Sequence, residues 1–205
     1  NIGEVMNQGI DAQVRWQDKI GEIHYNVGVN LTFTKNKLRK SDELDNIEDY
    51  RKSVGRSTST IFGLQAEGLF GKDVQLAGHP LQSYGAYQAG DIAYADLNGD
   101  NMINDVTDLG QSFPTTTMGI DLSLNYKGFG LYILGTATTG VTNILSSSYY
   151  WNNGLDGYSV LALDRYHPVN NPTGTQPRLT TTSGANNSRN SSFWSENGSF
   201  FRLKN

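Results

Sequence analysis

Apolar and polar residues alternate strictly along four stretches of this chain, and a period of two marks β-strands rather than helix. Over residues 9–17, Ile10, Ala12, Val14 and Trp16 alternate with Asp11, Gln13, Arg15 and Gln17. A turn expected at Asp18-Lys19-Ile20-Gly21 leads into residues 22–34. There Ile23, Tyr25, Val27, Val29, Leu31 and Phe33 alternate with His24, Asn26, Gly28, Asn30, Thr32 and Thr34. The pattern returns over 116–127, where Met118, Ile120, Leu122, Leu124 and Tyr126 face one way, and past Lys127-Gly128 it continues over 129–138. A fifth strand is expected over 199–205. The four alternating stretches each have about nine residues or more, the length a strand needs to cross a bilayer at a barrel's tilt. Trp16 and Tyr126 sit on the apolar face just before the short turns, where a barrel places an interfacial aromatic girdle. Ordinary cross-strand aromatic pairing gives the same pattern.

Strand parity limits the topology. If both short turns are periplasmic, residues 35–115 must begin and end outside, and so must 139–198. The expected fold class is therefore all-β: antiparallel strands of a transmembrane β-barrel with two long extracellular excursions, in one partial barrel region spanning 1–205. Loops of this length are uncommon unless they bind or cover something. The Ser/Asn/Gly-rich stretch from Thr180 to Ser192 is expected to be mobile, because its composition offers little to bury.

Composition agrees with strands and turns. Of 205 residues, 37% are apolar, 23 are glycine and 11 are tyrosine, a mixture that disfavours helix. No stretch approaches the roughly 18 apolar residues of a membrane helix, so any crossing must be by strands. The net charge of −4 and the lack of long Lys/Arg runs argue against a nucleic-acid partner. Cysteine is absent, which removes disulfides and thiolate chemistry. With no initiator Met and no leader-like segment at Asn1, and a strand-like ending at Asn205, the chain is expected to be a piece of a longer protein.

Two segments are candidates for chemistry. In the run from Asp96 to Asp108, oxygen-bearing side chains at Asp96, Asn98, Asp100 and Asn104 fall at positions 1, 3, 5 and 9. With the Met102 carbonyl at position 7 and Asp108 just past position 12, the set resembles a calcium loop. Asn101 stands where glycine usually makes the sharp turn, and Thr107 occupies position 12; a metal-free turn rich in Asp and Asn is the other reading. The second candidate is a group of aromatics in the later excursion: Tyr149, Tyr150, Trp151, Tyr158, Tyr166 and Trp194. Flanked by Asn and Asp, such rings suit stacking on sugars or peptide side chains, with Tyr149, Tyr150, Trp151 and Tyr158 the expected substrate contacts. Packing on one another is the alternative. His24, His79 and His167 are scattered, the run Arg39 to Arg51 suits a solvated loop or short helix, and no nucleophile elbow, phosphate loop or zinc motif occurs. No enzyme is expected.

The order of several segments resembles the SusC/RagA-like TonB-dependent outer-membrane transporters of Bacteroidota. The matching pieces are Asn1 to Ile10 with its hairpin, Ile61 to Phe70, Gly90 to Asp100 and Leu122 to Phe129. They continue with Asp164-Arg165-Tyr166-His167-Pro168, Pro177-Arg178-Leu179 and Phe193 to Asn205. The resemblance implies a segment of a 22-stranded, plugged barrel in a Gram-negative outer membrane. It further implies TonB acting through a plug region, a surface lipoprotein of the SusD type as partner, and import of glycans or peptides. The family usually has glycine and a following acid where Asn101 and Thr107 stand, and Trp where Tyr166 stands. The competing expectation is a soluble, calcium-ordered β-sandwich that binds carbohydrate.

Overall fold

The alternating segments form one sheet. In a computed structural model that describes residues 3–44, 47–151, 157–180 and 186–204, the strands run in chain order as follows. They are β1 (Glu4–Ile20), β2 (Ile23–Lys40), β3 (Thr60–Gly63), β4 (Ala66–Leu69), β5 (Leu81–Gln82), β6 (Ile92–Tyr94) and β7 (Met102–Ile103). Then come β8 (Thr107–Gln111), β9 (Thr116–Tyr126), β10 (Phe129–Thr139), β11 (Thr142–Ile144), β12 (Ser195–Asn197) and β13 (Phe200–Lys204). Two short 3-10 turns cover Val160–Asp164 and Ser192–Trp194. The large sheet has the order β1-β2-β9-β10-β13, antiparallel at every step. No helix among the described residues is long and apolar enough to cross a membrane.

The first turn lies further along than expected. Pairing of Asp18 with Tyr25, Lys19 with His24 and Ile20 with Ile23 continues the ladder, so the turn is Gly21-Glu22. Gly21 supplies φ +62° at the first turn position, where a side chain is disfavoured, and so fixes the hairpin there. The second hairpin turns on Lys127 and Gly128, both at positive φ, as a type I′ turn requires. β1 and β2 reach 17 and 18 residues, well past the segments read from alternation. Beyond Phe33 the polar–apolar rhythm stops while backbone pairing goes on, so pattern alone cannot see it.

Register places all the apolar rows on one face. Val14 pairs with Val29, Val29 with Ile120 and Ile120 with Gly135; Trp16, Val27, Leu122 and Ile133 form the next row. Phe201 and Leu203 add the edge, and the Phe201 ring lies over Gly135, where a Cβ would come within 3.1 Å of it. Ile10, Val14 and Trp16 are each more than 60% exposed. Along β2 the apolar row runs from Ile23 to Phe33, roughly 33 Å of strand and about 25 Å of height at a tilt near 40°. The opposite face carries Asp11, Gln13, Arg15, Asn26, Asn30, Asp121, Ser123 and Asn125, interrupted by Tyr132 and Leu134 on β10.

β2 and β10 run the same way, each antiparallel to the β9 between them, so both long connections leave the sheet at one end. They fold together. Leu64, Leu69, Ile92, Tyr94, Ile103, Tyr166 and Trp194 make a shared core. The stretch expected to be mobile divides at this point: Asn186 to Ser192 is packed in, while residues 181–185 lie outside the described residues. Two amides explain the order. Asn186 donates to the Ile92 carbonyl at 3.0 Å and accepts from the Gln82 amide at 2.6 Å, and Asn187 accepts the Ile92 N–H and donates to Asp91 at 2.7 Å. Polar side chains here act as backbone surrogates, so a composition poor in apolar residues still orders. The connections thus form a cap on one end of the sheet.

Candidate functional site

The cap separates the expected aromatic contacts. Tyr166 and Trp194 are core residues, with the Tyr166 hydroxyl donating to the Gly71 carbonyl at 2.8 Å and the Trp194 indole N–H to the Asn187 carbonyl at 2.7 Å. Their sequence context looks like loop, but the core they join is built from residues far along the chain, such as Leu64, Ile92 and Ile103, which no local pattern reveals. Tyr149 and Tyr150 meet edge to face at 5.1 Å, and Tyr150 and Trp151 pack partly buried against the core. Tyr150 and Trp151 line a small recess with Pro177, Arg178, Asn187 and Trp194. Trp151 also borders a wider cleft of about 430 Å³ with Phe62, Tyr84, Val106 and Arg189. Tyr158 is exposed and lines neither.

The cleft was not anticipated, because its walls come from residues more than a hundred positions apart. The Arg189 guanidinium lies over the Tyr84 ring at 4.7 Å, a cation–π contact. Burial pushes the Tyr84 hydroxyl up, opposed by Arg189. The Trp151 indole N–H has no hydrogen-bond partner among the described residues. Aromatic faces beside guanidinium and amide groups can hold a polar ligand by stacking and hydrogen bonding together.

The Asp96 loop is held tightly by its own backbone. Asp96 accepts the N–H groups of Gly99 at 2.7 Å, Asn101 at 2.8 Å and Asn98 at 3.3 Å. Burial acts to raise its pKa, but these donors outweigh it and hold the carboxyl below its ordinary value. Asn98 donates to Asp100 at 3.1 Å, and Asp100 accepts the Met102 N–H at 2.8 Å. Asn101 adopts φ +64°, taking the left-handed turn that glycine would otherwise make, which Asn tolerates better than most residues. Asn104 is exposed.

Asp108, expected to close the loop, faces elsewhere. It lies in β8, pairs with Arg56 at 3.3 Å and accepts the Gly110 N–H at 2.8 Å. Asp105 occupies the loop's flank instead: wholly buried, it accepts the Leu97 N–H at 3.1 Å and the Tyr50 hydroxyl at 2.7 Å. The Tyr50 hydroxyl is pushed up to about 12 by burial and by this bond. The loop therefore brings Asp96, Asn98 and Asp100 together without Asp108. Among the described residues no three His, Cys, Asp or Glu side chains converge as metal ligands.

Elsewhere, side chains serve structure. Glu43 accepts the Ser53 and Val54 N–H groups, which ties the charged run to residues 53–54; Arg39 and Lys40 belong to β2, and the run's other described residues form no helix. His79 stacks edge-on against Phe70 at 4.8 Å, and His167 accepts N–H groups from Val169 and Asn170. Asp164 accepts the Thr175 N–H at 3.1 Å and the Thr175 hydroxyl, and these bonds hold its carboxyl below the ordinary 3.8. Because the folded pKa is depressed, this stabilisation is complete above the unfolded value and is lost as pH falls through the lower folded one. Limited proteolysis is therefore expected to open the 160–176 segment as pH drops below about 4, and Asp164→Asn is expected to abolish that pH dependence.

On the polar face, Arg15, Gly28 and Asp121 lie side by side in one row of three strands. Arg15 reaches across Gly28 to Asp121 at 3.5 Å, and a Cβ on Gly28 would fall 2.2 Å from the Asp121 carboxylate. The missing side chain is what lets the pair span a strand. Gly28→Val is expected to break it and destabilise the sheet by about 1–3 kcal/mol, measured as a lower denaturant midpoint; an unchanged midpoint refutes the role.

No family model matches this chain, and no curated protein matches it. Solved structures do. One reported as the RagAB peptide transporter aligns with a TM-score of 0.69 at 18% identity. The RagAB peptide importer in its open-open and closed-closed states aligns with TM-scores of 0.62 and 0.64 at 17% and 16% identity. Each alignment covers 100% of this chain and 22% of the other. At this identity the likeness is one of fold: the chain has the antiparallel, all-β architecture of about a fifth of a β-barrel transporter chain, here as an open five-stranded sheet beneath a cap.

Proposed function

We propose that this chain forms barrel wall and outer cap of a TonB-dependent outer-membrane transporter. The observation that carries this reading is the continuous apolar face of the five-stranded sheet. It is exposed in every strand, and its roughly 25 Å height matches the apolar band of an outer-membrane barrel. A sandwich would cover such a face with a second sheet, and among the described residues nothing does. The polar face then lines the lumen, and the unpaired edges of β1 and β13 receive the remaining strands. The cap lies outside, opposite the two-residue turns. The alternative soluble module needs the apolar face to meet water.

In this reading a surface lipoprotein of the SusD type sits on the cap, TonB acts through a plug region outside this chain, and the cargo is a peptide or glycan. The RagAB structures are named peptide transporters, which favours peptide. The cap cleft beside Trp151 contributes to cargo contact, with Tyr149 and Tyr150 at its side and Tyr158 further off. In cells relying on the natural protein that contains this chain, uptake of labelled peptide is expected to fall in Trp151→Ala, with surface abundance unchanged. Normal peptide uptake with lost oligosaccharide uptake would reverse the cargo assignment.

The Asp96 loop is proposed to take calcium through Asp96, Asn98, Asp100, Asn104 and the Met102 carbonyl. Without Asp108 it lacks the bidentate acid, so affinity is expected in the range of about 10⁻⁴–10⁻³ M. Terbium luminescence displaced by calcium in that range supports the site, and no signal in the wild type defeats it.

A further inference from the structure

We propose that the cap-side end of β2 is a docking site for the phosphate of an anionic lipid headgroup, held by Lys35 and Lys37. The inference rests on the membrane reading above. In the ladder Gln8 opposes Lys35 and Met6 opposes Lys37, continuing the row in which Ile10 opposes Phe33. Both lysines therefore project from the apolar face, beyond its last aromatic. The intervening Asn36 turns to the cap, where it accepts from the Ser57 hydroxyl at 2.9 Å and the Thr58 N–H at 2.8 Å. The cap borders this strand end, with the Leu38 N–H donating to the Arg56 carbonyl at 2.8 Å, while Lys35 and Lys37 are both exposed.

Height selects the partner. Two residues of strand rise about 7 Å, or roughly 5 Å at barrel tilt, so Lys35 and Lys37 stand about 5 and 10 Å above Phe33. The headgroup layer of a bilayer occupies about 5–8 Å beyond the hydrocarbon, so Lys35 stands within it and Lys37 at its outer edge. Lysine stems can lie along apolar surface while the ammonium reaches outward.

Charge points the same way. Among the described residues neither lysine has an ion pair, whereas the nearby carboxylates are already engaged, Glu4 with Arg39 at 3.6 Å and Asp108 with Arg56 at 3.3 Å. Beside Lys35, an open groove of about 480 Å³ runs between Phe33, Gly55, Arg56 and Thr115. It offers an apolar entry at Phe33 and cations above. At the opposite rim Lys127 is paired with Glu22 at 2.8 Å, and Lys19 lies in the polar-face register of Arg15 and Gln17, so among the described residues the unpaired cations of the apolar face stand at the cap side.

The test uses the natural protein that contains this chain, folded in neutral detergent micelles and titrated with fluorescent lipid A and fluorescent phosphatidylglycerol. Saturable binding is expected, weakened by about tenfold or more in Lys35→Gln/Lys37→Gln, at about fivefold per cation. Lys35→Arg/Lys37→Arg should keep it within about twofold, since charge is retained. Wild-type affinity in the glutamine variant, or displacement of the lipid by millimolar inorganic phosphate, overturns the proposal. Protein that stays monodisperse without detergent would sink the membrane reading itself. Detergent-dependent protein whose glutamine variant binds normally would sink only this inference.

Discussion

Trp194→Ala is expected to loosen the cap while leaving the five-stranded sheet paired. Trp194 is 3% exposed, packs edge to face on Phe193 at 4.9 Å, and donates its indole N–H to the Asn187 carbonyl. Its backbone also holds Leu145, whose N–H donates to the Trp194 carbonyl at 2.8 Å. Truncation removes a large buried ring, at about 3–5 kcal/mol. It also leaves the Asn187 carbonyl without its donor, in a stretch where side-chain amides substitute for apolar packing. Protease cleavage within 186–194 should appear at much lower denaturant than in the wild type, with β-sheet circular dichroism retained. A shift below about 1 kcal/mol would show that the cap does not depend on this core.

A charge in the middle of the apolar face should be nearly as costly, but only in lipid. Ile120 is 40% exposed and lies between Val29 and Gly135, near mid-height of the face. Ile120→Arg is expected to cost about 2–4 kcal/mol when the protein folds into bilayers. Ser123→Arg, three residues along on the polar face, should cost under about 1 kcal/mol because a lumen wall accepts charge. The contrast matters more than either value. If both substitutions cost the same, the two faces meet the same solvent and the barrel reading is wrong.

Much of the sheet was legible because one of its faces is apolar and the other polar, which puts a period of two onto the sequence. That Val14, Val29 and Ile120 belong to the apolar sides of their strands could be anticipated from alternation, and Gly21 and Gly128 from turn chemistry, but the register that sets them in one row could not. The exact turn and the upper ends of β1 and β2 were hidden: Lys35 to Lys40 keep strand pairing after the polar–apolar rhythm has ended, so the signal stops before the strand does. The cap was harder still. Its core joins Tyr94, Tyr166 and Trp194, and its order depends on amides such as Asn186 whose partners are about ninety residues away. Such distance leaves no local period. Composition there pointed to mobility because it counts apolar residues and overlooks hydrogen bonds.

The calcium-like loop shows the same division. Asp96, Asn98 and Asp100 converge because their spacing is local, and Asn101 takes the left-handed turn. Asp108 departs because β3 pairing and Arg56, both distant in sequence, hold it elsewhere. Spacing motifs are trustworthy over the few residues in which the backbone can enforce them.

Single spin labels placed in turn from Val27 to Phe33, in the natural protein reconstituted in bilayers, test the central claim most directly. The odd positions are expected to show high oxygen accessibility and the even positions high accessibility to a water-soluble nickel reagent, with period two across the span. Uniform nickel accessibility on both faces would contradict it, because the apolar face would then be in water.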